Sequence, residues 1–117
     1  MREFDYKIIT QNNVTIISFS GKISKESKEQ LETCRQEIIS DSSQTVILYL
    51  KDVTKIEPCI FRELTLLQHE ARKNSNELYV AGLDNQIRQY LVDRAVIRLG
   101  EIKKTLIEIF EHKKKMA

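Results

Sequence analysis

The residue with the most evident chemistry is Cys59, a thiol that follows Glu57 and the single proline, Pro58. Proline favours the first turn of a helix, where free backbone N–H groups and the helix dipole would stabilise a thiolate. This pattern fits a reactive or redox-sensing thiol, and it also fits a small residue that fills a small space, which is the interpretation we favour. His69 follows about ten residues later on the same predicted helix, roughly 15 Å away. A catalytic Cys–His pair within that helix is therefore excluded.

No other set of residues has the spacing of a catalytic or metal site. The sequence lacks a glycine-rich phosphate loop, a nucleophile elbow and any Cys/His/Asp grouping that would bind a metal. Asp52 alone follows the central strand, whereas a phosphoaspartate receiver domain also needs an acidic pair after its first strand. Cys34 lies on an apolar stripe and is expected in the core, while His69 and His112 are expected in solvent. We therefore predict no cofactor, no metal and no enzymatic activity.

A strand and a helix would position Cys59. Thr45–Leu50 has only one polar residue, which is typical of a strand buried on both faces of a parallel sheet. The polar run Lys51–Lys55 predicts a loop, and Pro58 predicts the start of the helix. This helix would bury one apolar stripe, made of Ile60, Leu64, Leu67 and Ala71.

The chain before this strand predicts a β-hairpin and a helix. Phe4–Ile9 and Val14–Phe19 are expected to be antiparallel strands joined by a turn at Gln11–Asn13, the second strand ending at Gly21. Ser24 is a candidate cap for a helix over Lys25–Ser40. The residues predicted to be buried on this helix are Leu31, Cys34 and Ile38, with Ile39 beside them.

The chain after the central helix predicts one further strand, Leu78–Ala81, and a third helix capped by Asp84. Val96–Leu99 fits either a short edge strand or a continued helix. A final helix after Gly100 would carry Ile102, Leu106, Ile109 and Phe110 on one face. The alternation predicts an α/β fold, a mostly parallel sheet of four or five strands with an N-terminal antiparallel strand and about four helices.

Bulk composition predicts an ordinary globular protein. With 117 residues, 41% hydrophobic and 31% charged, the chain is expected to be a single domain over residues 1–117, with a core of about 4–110 and a basic helix end at 111–117. The net charge of +2 gives no drive towards nucleic acid, and Lys113–Lys115 are expected to be a solvated helix end. Two cysteines, no signal peptide and no membrane-spanning stretch predict a cytoplasmic location.

The residues from Val14 to Ile23, from Val46 to Leu50 and from Val53 to Glu57, together with Ala81-Gly82-Leu83, form a pattern that resembles the STAS domain. This family includes anti-sigma factor antagonists and the cytoplasmic tails of sulphate transporters. The resemblance covers about Phe4 to Phe110 and concerns the order of elements more than a diagnostic motif. It implies a non-enzymatic module whose second helix begins at a partner-binding surface.

The family's Asp-Ser-Ser-Gly motif at this helix is replaced here by Glu57, Pro58, Cys59 and Ile60. The resemblance puts Cys59 in the place of the serine that is phosphorylated in some members. A thiol is not a substrate for a serine kinase, so the usual phosphoswitch is expected to be absent. Thr54 and Thr65 are the remaining candidates for a displaced phosphorylation site.

The resemblance therefore implies a regulator that docks an anti-sigma factor of the ATP-binding, histidine-kinase-like class. The residues expected to contact that partner are Asp52, Glu57, Pro58, Cys59, Arg62 and Glu63. Three alternatives remain open. The protein could be a scaffold subunit that forms a homo-oligomer. It could instead be an accessory subunit of a transporter, or a thiol-based redox regulator that uses Cys59.

Overall fold

Five strands form one mixed sheet in the computed structural model, which describes residues 4–116 and their side chains as far as residue 111. The strands are β1 (Phe4–Gln11), β2 (Val14–Ile23), β3 (Thr45–Ile56), β4 (Glu77–Ala81) and β5 (Ile102–Lys103). They lie in the sheet in chain order, β1 antiparallel to β2 and every later neighbour parallel. The predicted α/β class, the antiparallel first strand and the parallel remainder are confirmed.

Four α-helices occur among the described residues. They are α1 (Lys28–Ile39), α2 (Phe61–Asn74), α3 (Asn85–Asp93) and α4 (Leu106–Met116). A 3-10 turn precedes α1 at Lys25–Ser27 and another precedes α2 at Pro58–Ile60. The two predicted helices after the hairpin and the central strand therefore exist, but each begins with a tighter turn.

The central strand β3 is buried on both faces, as its uninterrupted apolar run predicted. Val46 and Leu48 belong to a core that includes Leu31 of α1 and Leu64 of α2. Ile47, on the opposite face, packs in a smaller core with Ile109 of α4 and two residues of β4, Tyr79 and Ala81. Because alternate residues of a strand point to opposite faces, helices on both sides of the sheet account for the absence of a polar alternation.

Several local predictions are confirmed. Asn12 and Asn13 adopt positive φ values of 54° and 65° in the turn between β1 and β2, a conformation that asparagine tolerates better than most residues. Asp84 caps α3, because its carboxylate accepts a hydrogen bond from the N–H of Gln86 at 2.9 Å. The predicted stripes of the first two helices are buried: Leu31, Cys34, Ile38, Ile60, Leu64, Leu67 and Ala71.

The predicted loop at Lys51–Lys55 is wrong, because β3 continues to Ile56. Val53 pairs with Gly21 and Ile56 with Ile23, so β2 also extends beyond the predicted end at Gly21. Gly21 has a φ of 86° and lies at a register shift between β2 and β3, which indicates a bulge rather than a strand end. Sequence patterns did not predict this part of the strand because its buried residues recur at every third position, with exposed charged residues between them.

The C-terminal predictions also need correction. Val96–Leu99 is neither a strand nor a helical continuation; Val96 donates its N–H to Leu91 in the turn that ends α3. The fifth strand is Ile102–Lys103, so Ile102 was wrongly placed on the final helix. Ile39, which was expected beside the buried stripe of the first helix, is 46% exposed, and Phe110, which was expected on the apolar face of the final helix, is 43% exposed.

Candidate functional site

The start of α2 presents a short exposed turn on a buried anchor. Glu57 precedes the turn in an extended conformation, with φ −85° and ψ 145°, and Pro58 occupies the first position of the turn. Pro58 and Cys59 are exposed, whereas Ile60 is 1% exposed and packs in the core beneath them. The fixed φ of proline and the buried Ile60 side chain therefore hold the exposed Cys59 in a defined position.

Two of the three carboxylates predicted to contact a partner, Glu57 and Glu63, form ion pairs with lysines of β2 and α1. Glu57 lies 3.7 Å from the Lys22 ammonium, and Glu63 lies 4.0 Å from the Lys28 ammonium. Their side chains are 29% and 13% exposed. We expect residues that contact a partner to be exposed, but these two glutamates are only partly so, because β2 supplies Lys22 to Glu57 and α1 supplies Lys28 to Glu63.

The other predicted contacts lie open to solvent. Asp52 is exposed on β3 opposite Ser20 of β2, and Arg62 is exposed in the first turn of α2. We define the α2-start surface as the six residues predicted to contact the partner, Asp52, Glu57, Pro58, Cys59, Arg62 and Glu63. Four of them are exposed and two are partly covered by ion pairs, so this surface combines an apolar tip with charged flanks.

An aromatic cluster that sequence reasoning missed supports this surface from α3. The rings of Phe61 and Tyr90 meet edge to face with centroids 5.6 Å apart. The guanidinium of Arg94 lies 3.9 Å from the centre of the Tyr90 ring, a cation–π contact. The spacing of four between Tyr90 on α3 and Arg94, which follows the last residue of this helix, was the available signal, although the partner ring, Phe61, lies far away in sequence.

The two cysteines occupy opposite environments. Cys34 is completely buried, and burial raises the pKa of its thiol from 9.0 to about 12, with a smaller contribution from the negative charge of Glu37. Cys59 is exposed. The predicted core role of Cys34 is confirmed.

Within the described side chains no group of three or more His, Cys, Asp and Glu residues could bind a metal.

The alternative phosphorylation candidates are both accessible but differently placed. Thr54 is exposed on β3 rather than in the predicted loop. Thr65 is exposed within α2, and its hydroxyl donates a hydrogen bond to the Phe61 carbonyl at 2.9 Å. His69 is exposed on the same helix as predicted, and the side chain of His112 lies outside the described residues.

One cleft borders the α2-start surface and is smaller than a typical small-molecule site. The cleft between α1 and α2 beside Glu63 holds only about 20 Å³, room for about one water molecule. Small-molecule sites typically enclose about 300–1,000 Å³. Across residues 4–116 no helix is long and apolar enough to cross a membrane.

The comparisons with known proteins agree with the geometry. The family model for the STAS domain matches residues 5–113. No curated protein matches significantly. An anti-sigma factor antagonist from Mycobacterium paratuberculosis superposes with a TM-score of 0.78 at 16% identity, covering 93% of this chain and 92% of the other.

Two further solved structures are similar. The anti-sigma factor antagonist SpoIIAA in its unphosphorylated form superposes with a TM-score of 0.75 at 9% identity, covering 97% of this chain and 99% of the other. A sulfate transporter family protein from Wolinella succinogenes gives 0.75 at 16% identity, covering 91% and 88%. At these identities the likeness shows the fold alone. With the family model matching nearly the whole sequence, the chain belongs to the STAS domain family.

Proposed function

We propose that this protein is a non-enzymatic regulator that docks an anti-sigma factor of the ATP-binding, histidine-kinase-like class through the α2-start surface. The observation that carries the proposal is the exposed turn at Pro58 and Cys59, held by the buried side chain of Ile60. An exposed apolar tip on a rigid support loses little conformational entropy on binding, which favours recognition by a protein partner. Binding of the anti-sigma factor would release its sigma factor, and this chain would not touch DNA.

The role proposed for Cys59 is to keep this surface permanently competent. A phosphate at this position would add about 1.5 to 2 negative charges to a surface that the partner must cover. The helix N-terminus would stabilise such a phosphate, so a serine here would make an effective switch. A thiol cannot be used by a serine kinase, and the proposed interaction is therefore constitutive. This step depends on the alignment of Cys59 with the phosphorylated serine of other STAS proteins.

The residues around the tip would supply the anchors for the partner. Arg62 is exposed beside Cys59, and arginine is among the residues that contribute most to protein interfaces. The Phe61–Tyr90–Arg94 cluster fixes the neighbouring part of α3 against α2. The ion pairs of Glu57 and Glu63 reduce the negative charge presented to solvent, so Arg62 would dominate the local field.

Affinity purification of the protein from its native cells, followed by mass spectrometry, tests the class of partner. We expect an ATP-binding, histidine-kinase-like protein, and binding of the purified partner can then be measured by calorimetry. Arg62→Glu should weaken that binding by at least about tenfold, as expected for an interface arginine. Lys73→Glu, an equal charge reversal at the far end of the same helix, should have no effect. Equal affinities of the two variants and the native protein would contradict the proposed surface.

Phosphopeptide mapping of the native protein tests constitutive binding. We expect no phosphate on Thr54, Thr65 or the turn at 57–60. Cys59→Ser should restore phosphorylation by the co-purified kinase-like partner. Phosphate on either threonine in the native protein would show a displaced switch and contradict the constitutive interaction.

Two other functions are separated by the same purification. The fold is shared with the sulfate transporter family protein from Wolinella succinogenes, so a transporter subunit among the captured proteins would favour an accessory role. Capture of copies of the chain itself, without a kinase-like protein, would favour a scaffold. The exposed thiol favours a cytoplasmic redox regulator as a further candidate. If Cys59→Ser leaves every activity and its response to peroxide unchanged, the thiol hypothesis fails.

A further inference from the structure

Strand β1 leaves half of one sheet edge available for pairing. It is hydrogen-bonded to β2 along one side, and backbone groups of alternate residues in such a strand point to opposite sides. The Tyr6 N–H donates to the carboxylate of Asp5 at 2.8 Å, and the Phe4 carbonyl accepts from the amide of Gln30 at 3.4 Å. The even-numbered residues of β1 therefore direct their backbone groups away from β2.

The side-chain bonds close only the first half of this edge. The next even-numbered residues, Ile8 and Thr10, also direct their backbone groups outward, and these groups hydrogen-bond no other group within residues 4–111. Proteins usually protect such an edge with charges or side-chain hydrogen bonds, as this chain does at Phe4 and Tyr6. An unprotected edge next to an apolar side chain is a template for another strand.

An apolar patch accompanies the open half of the edge. Ile9 lies between Ile8 and Thr10 and is 44% exposed. It lines a groove of about 320 Å³ together with Val14, Ile16 and Phe110. Phe110 is itself 43% exposed, so apolar surface continues from the strand edge onto α4.

We propose that the open half of β1 pairs with the same segment of a second copy, in antiparallel orientation about a two-fold axis at Ile9. In this register Ile8 lies opposite Thr10 of the second copy, and each such pair exchanges two backbone hydrogen bonds. Ile9 meets Ile9 of the second copy in the intervening non-hydrogen-bonded pair, where side chains are closest. The two sheets then form one continuous sheet, and the exposed apolar side chains cover each other.

The register is self-complementary in charge as well as in hydrogen bonding. Lys7 lies opposite Gln11 of the second copy, so no like charges face each other across the junction. A register centred on Tyr6 is disfavoured because the Tyr6 N–H is already bonded to Asp5. A second copy fits because the edge offers few residues, and the same short segment supplies both hydrogen bonds and an apolar contact at a symmetry axis.

The junction lies at the opposite end of the sheet from the α2-start surface. Gln11 pairs with Val14, which pairs with Thr45 at the beginning of β3, whereas the α2 start follows Ile56 at its end. The two ends of β3 are roughly 35 Å apart. Dimerisation therefore leaves both α2-start surfaces exposed, and it does not depend on the proposed partner.

Sedimentation equilibrium of the full chain, up to about 1 mM, tests the pairing. Ile9→Lys places two lysines opposite each other and should raise the dimer dissociation constant by at least about tenfold. Leu99→Lys, at an exposed apolar residue before β5 on the opposite edge of the sheet, should leave the constant unchanged. A monomer at every concentration would overturn the proposal, as would a dimer that is insensitive to Ile9→Lys.

Disulfide capture tests the register. Ile9→Cys, in a Cys59→Ser background, should give a covalent dimer on mild oxidation, because opposed β-carbons in such a pair are about 4.5–5.5 Å apart. Lys7→Cys in the same background should not, because its equivalent in the second copy lies roughly 13 Å further along the strands. Equal crosslinking of both variants would overturn the register. Exclusive capture of a foreign strand would overturn the second copy as the occupant.

Discussion

The starts of α1 and α2 have the same backbone plan but are held by different chemistry. Each helix is preceded by a three-residue 3-10 turn whose first two residues are exposed and whose third is buried, and the two turns are in contact at the same end of the sheet. Before α1 the buried third residue is polar, Ser27, and Ser24 ahead of the turn is buried as well. Before α2 the buried third residue is apolar, Ile60, and the exposed pair is Pro58 and Cys59. One turn is therefore held by polar groups and the other by an apolar anchor.

Side-chain hydrogen bonds explain the difference. The hydroxyl of Ser27 accepts from the Ser24 N–H at 3.1 Å and donates to the Lys22 carbonyl at 3.4 Å. The Ser24 hydroxyl donates to the carboxylate of Glu26 at 2.7 Å, which lowers the pKa of that carboxyl. The residue before the α2 turn, Glu57, makes no capping bond with its side chain. The α2 start depends instead on Pro58 at the first position of its turn and on buried Ile60.

The largest expected difference in stability is between substitutions at two neighbouring residues of the turn before α2. Ile60→Ala should destabilise the protein by about 2–5 kcal/mol, because it leaves a cavity under the turn. Cys59→Ala should change stability by less than about 0.5 kcal/mol, since its side chain is exposed. Urea unfolding followed by circular dichroism measures both. A large loss in the Cys59 variant would mean that this residue supports the fold instead of facing a partner.

The stability of the protein at alkaline pH should depend on Cys34, the buried cysteine of α1. The thiol of Cys34 has its pKa raised to about 12 by burial, so the unfolded chain releases this proton first as the pH rises above 9.0. The stabilisation is present below pH 9.0 and is lost as the pH approaches about 12, with a slope of up to about 1.4 kcal/mol per pH unit.

Urea unfolding between pH 8 and about 11 measures this loss. Cys34→Ala should flatten the decline, whereas Cys59→Ser should leave it unchanged. Tyr6, whose pKa is also raised to about 12 by burial and by Glu37, will maintain a smaller decline above pH 10.0 in all variants. An unaltered slope in Cys34→Ala would show that the buried thiol does not titrate as described.

A smaller loss of stability is expected when the side-chain hydrogen bonds of the turn before α1 are removed. Ser27→Ala should cost about 1–2 kcal/mol, because it leaves the buried N–H of Ser24 without its acceptor. Glu57→Gln, which removes the partly exposed ion pair with Lys22, should cost less than about 1 kcal/mol. If thermal unfolding gives equal losses of stability for the two variants, the turn before α1 does not depend on its buried hydrogen bonds more than the turn before α2 depends on its ion pair.

Sequence patterns predicted the parts of the fold in which a single periodicity dominates. Thr45–Leu50 and the stripe from Ile60 to Ala71 were found because apolar spacing identifies burial. The extension of β3 was missed because a bulge replaces strict alternation, leaving charged residues between Val53 and Ile56. In α4 a signal was present but not used: Glu108 donates its N–H to the Thr105 hydroxyl, and its carboxylate accepts from the Lys104 N–H. This Thr-x-x-Glu spacing marks the helix start after Ile102.

The turn at the candidate site was predictable from the sequence, but the ion pairs around it were not. Pro58 located the exposed turn from sequence alone. The lysines that form ion pairs with Glu57 and Glu63 are Lys22 and Lys28. They lie more than thirty residues earlier in the sequence, and only the tertiary packing brings them close to the glutamates. The same holds for the contact of Phe61 with Tyr90. Long-range pairs of this kind carry no local periodicity.

Protection of Cys59 from alkylation reports directly whether a bound partner covers the α2-start surface. The native protein carries one exposed and one buried thiol, so iodoacetamide labelling followed by mass spectrometry reports the α2-start surface, with Cys34 as the internal control. With the purified kinase-like partner at saturating concentration, the account predicts that labelling of Cys59 slows at least about tenfold, because the bound partner excludes the reagent. Formation of the complex with an unchanged labelling rate at Cys59 would contradict the account, because the partner would then bind elsewhere.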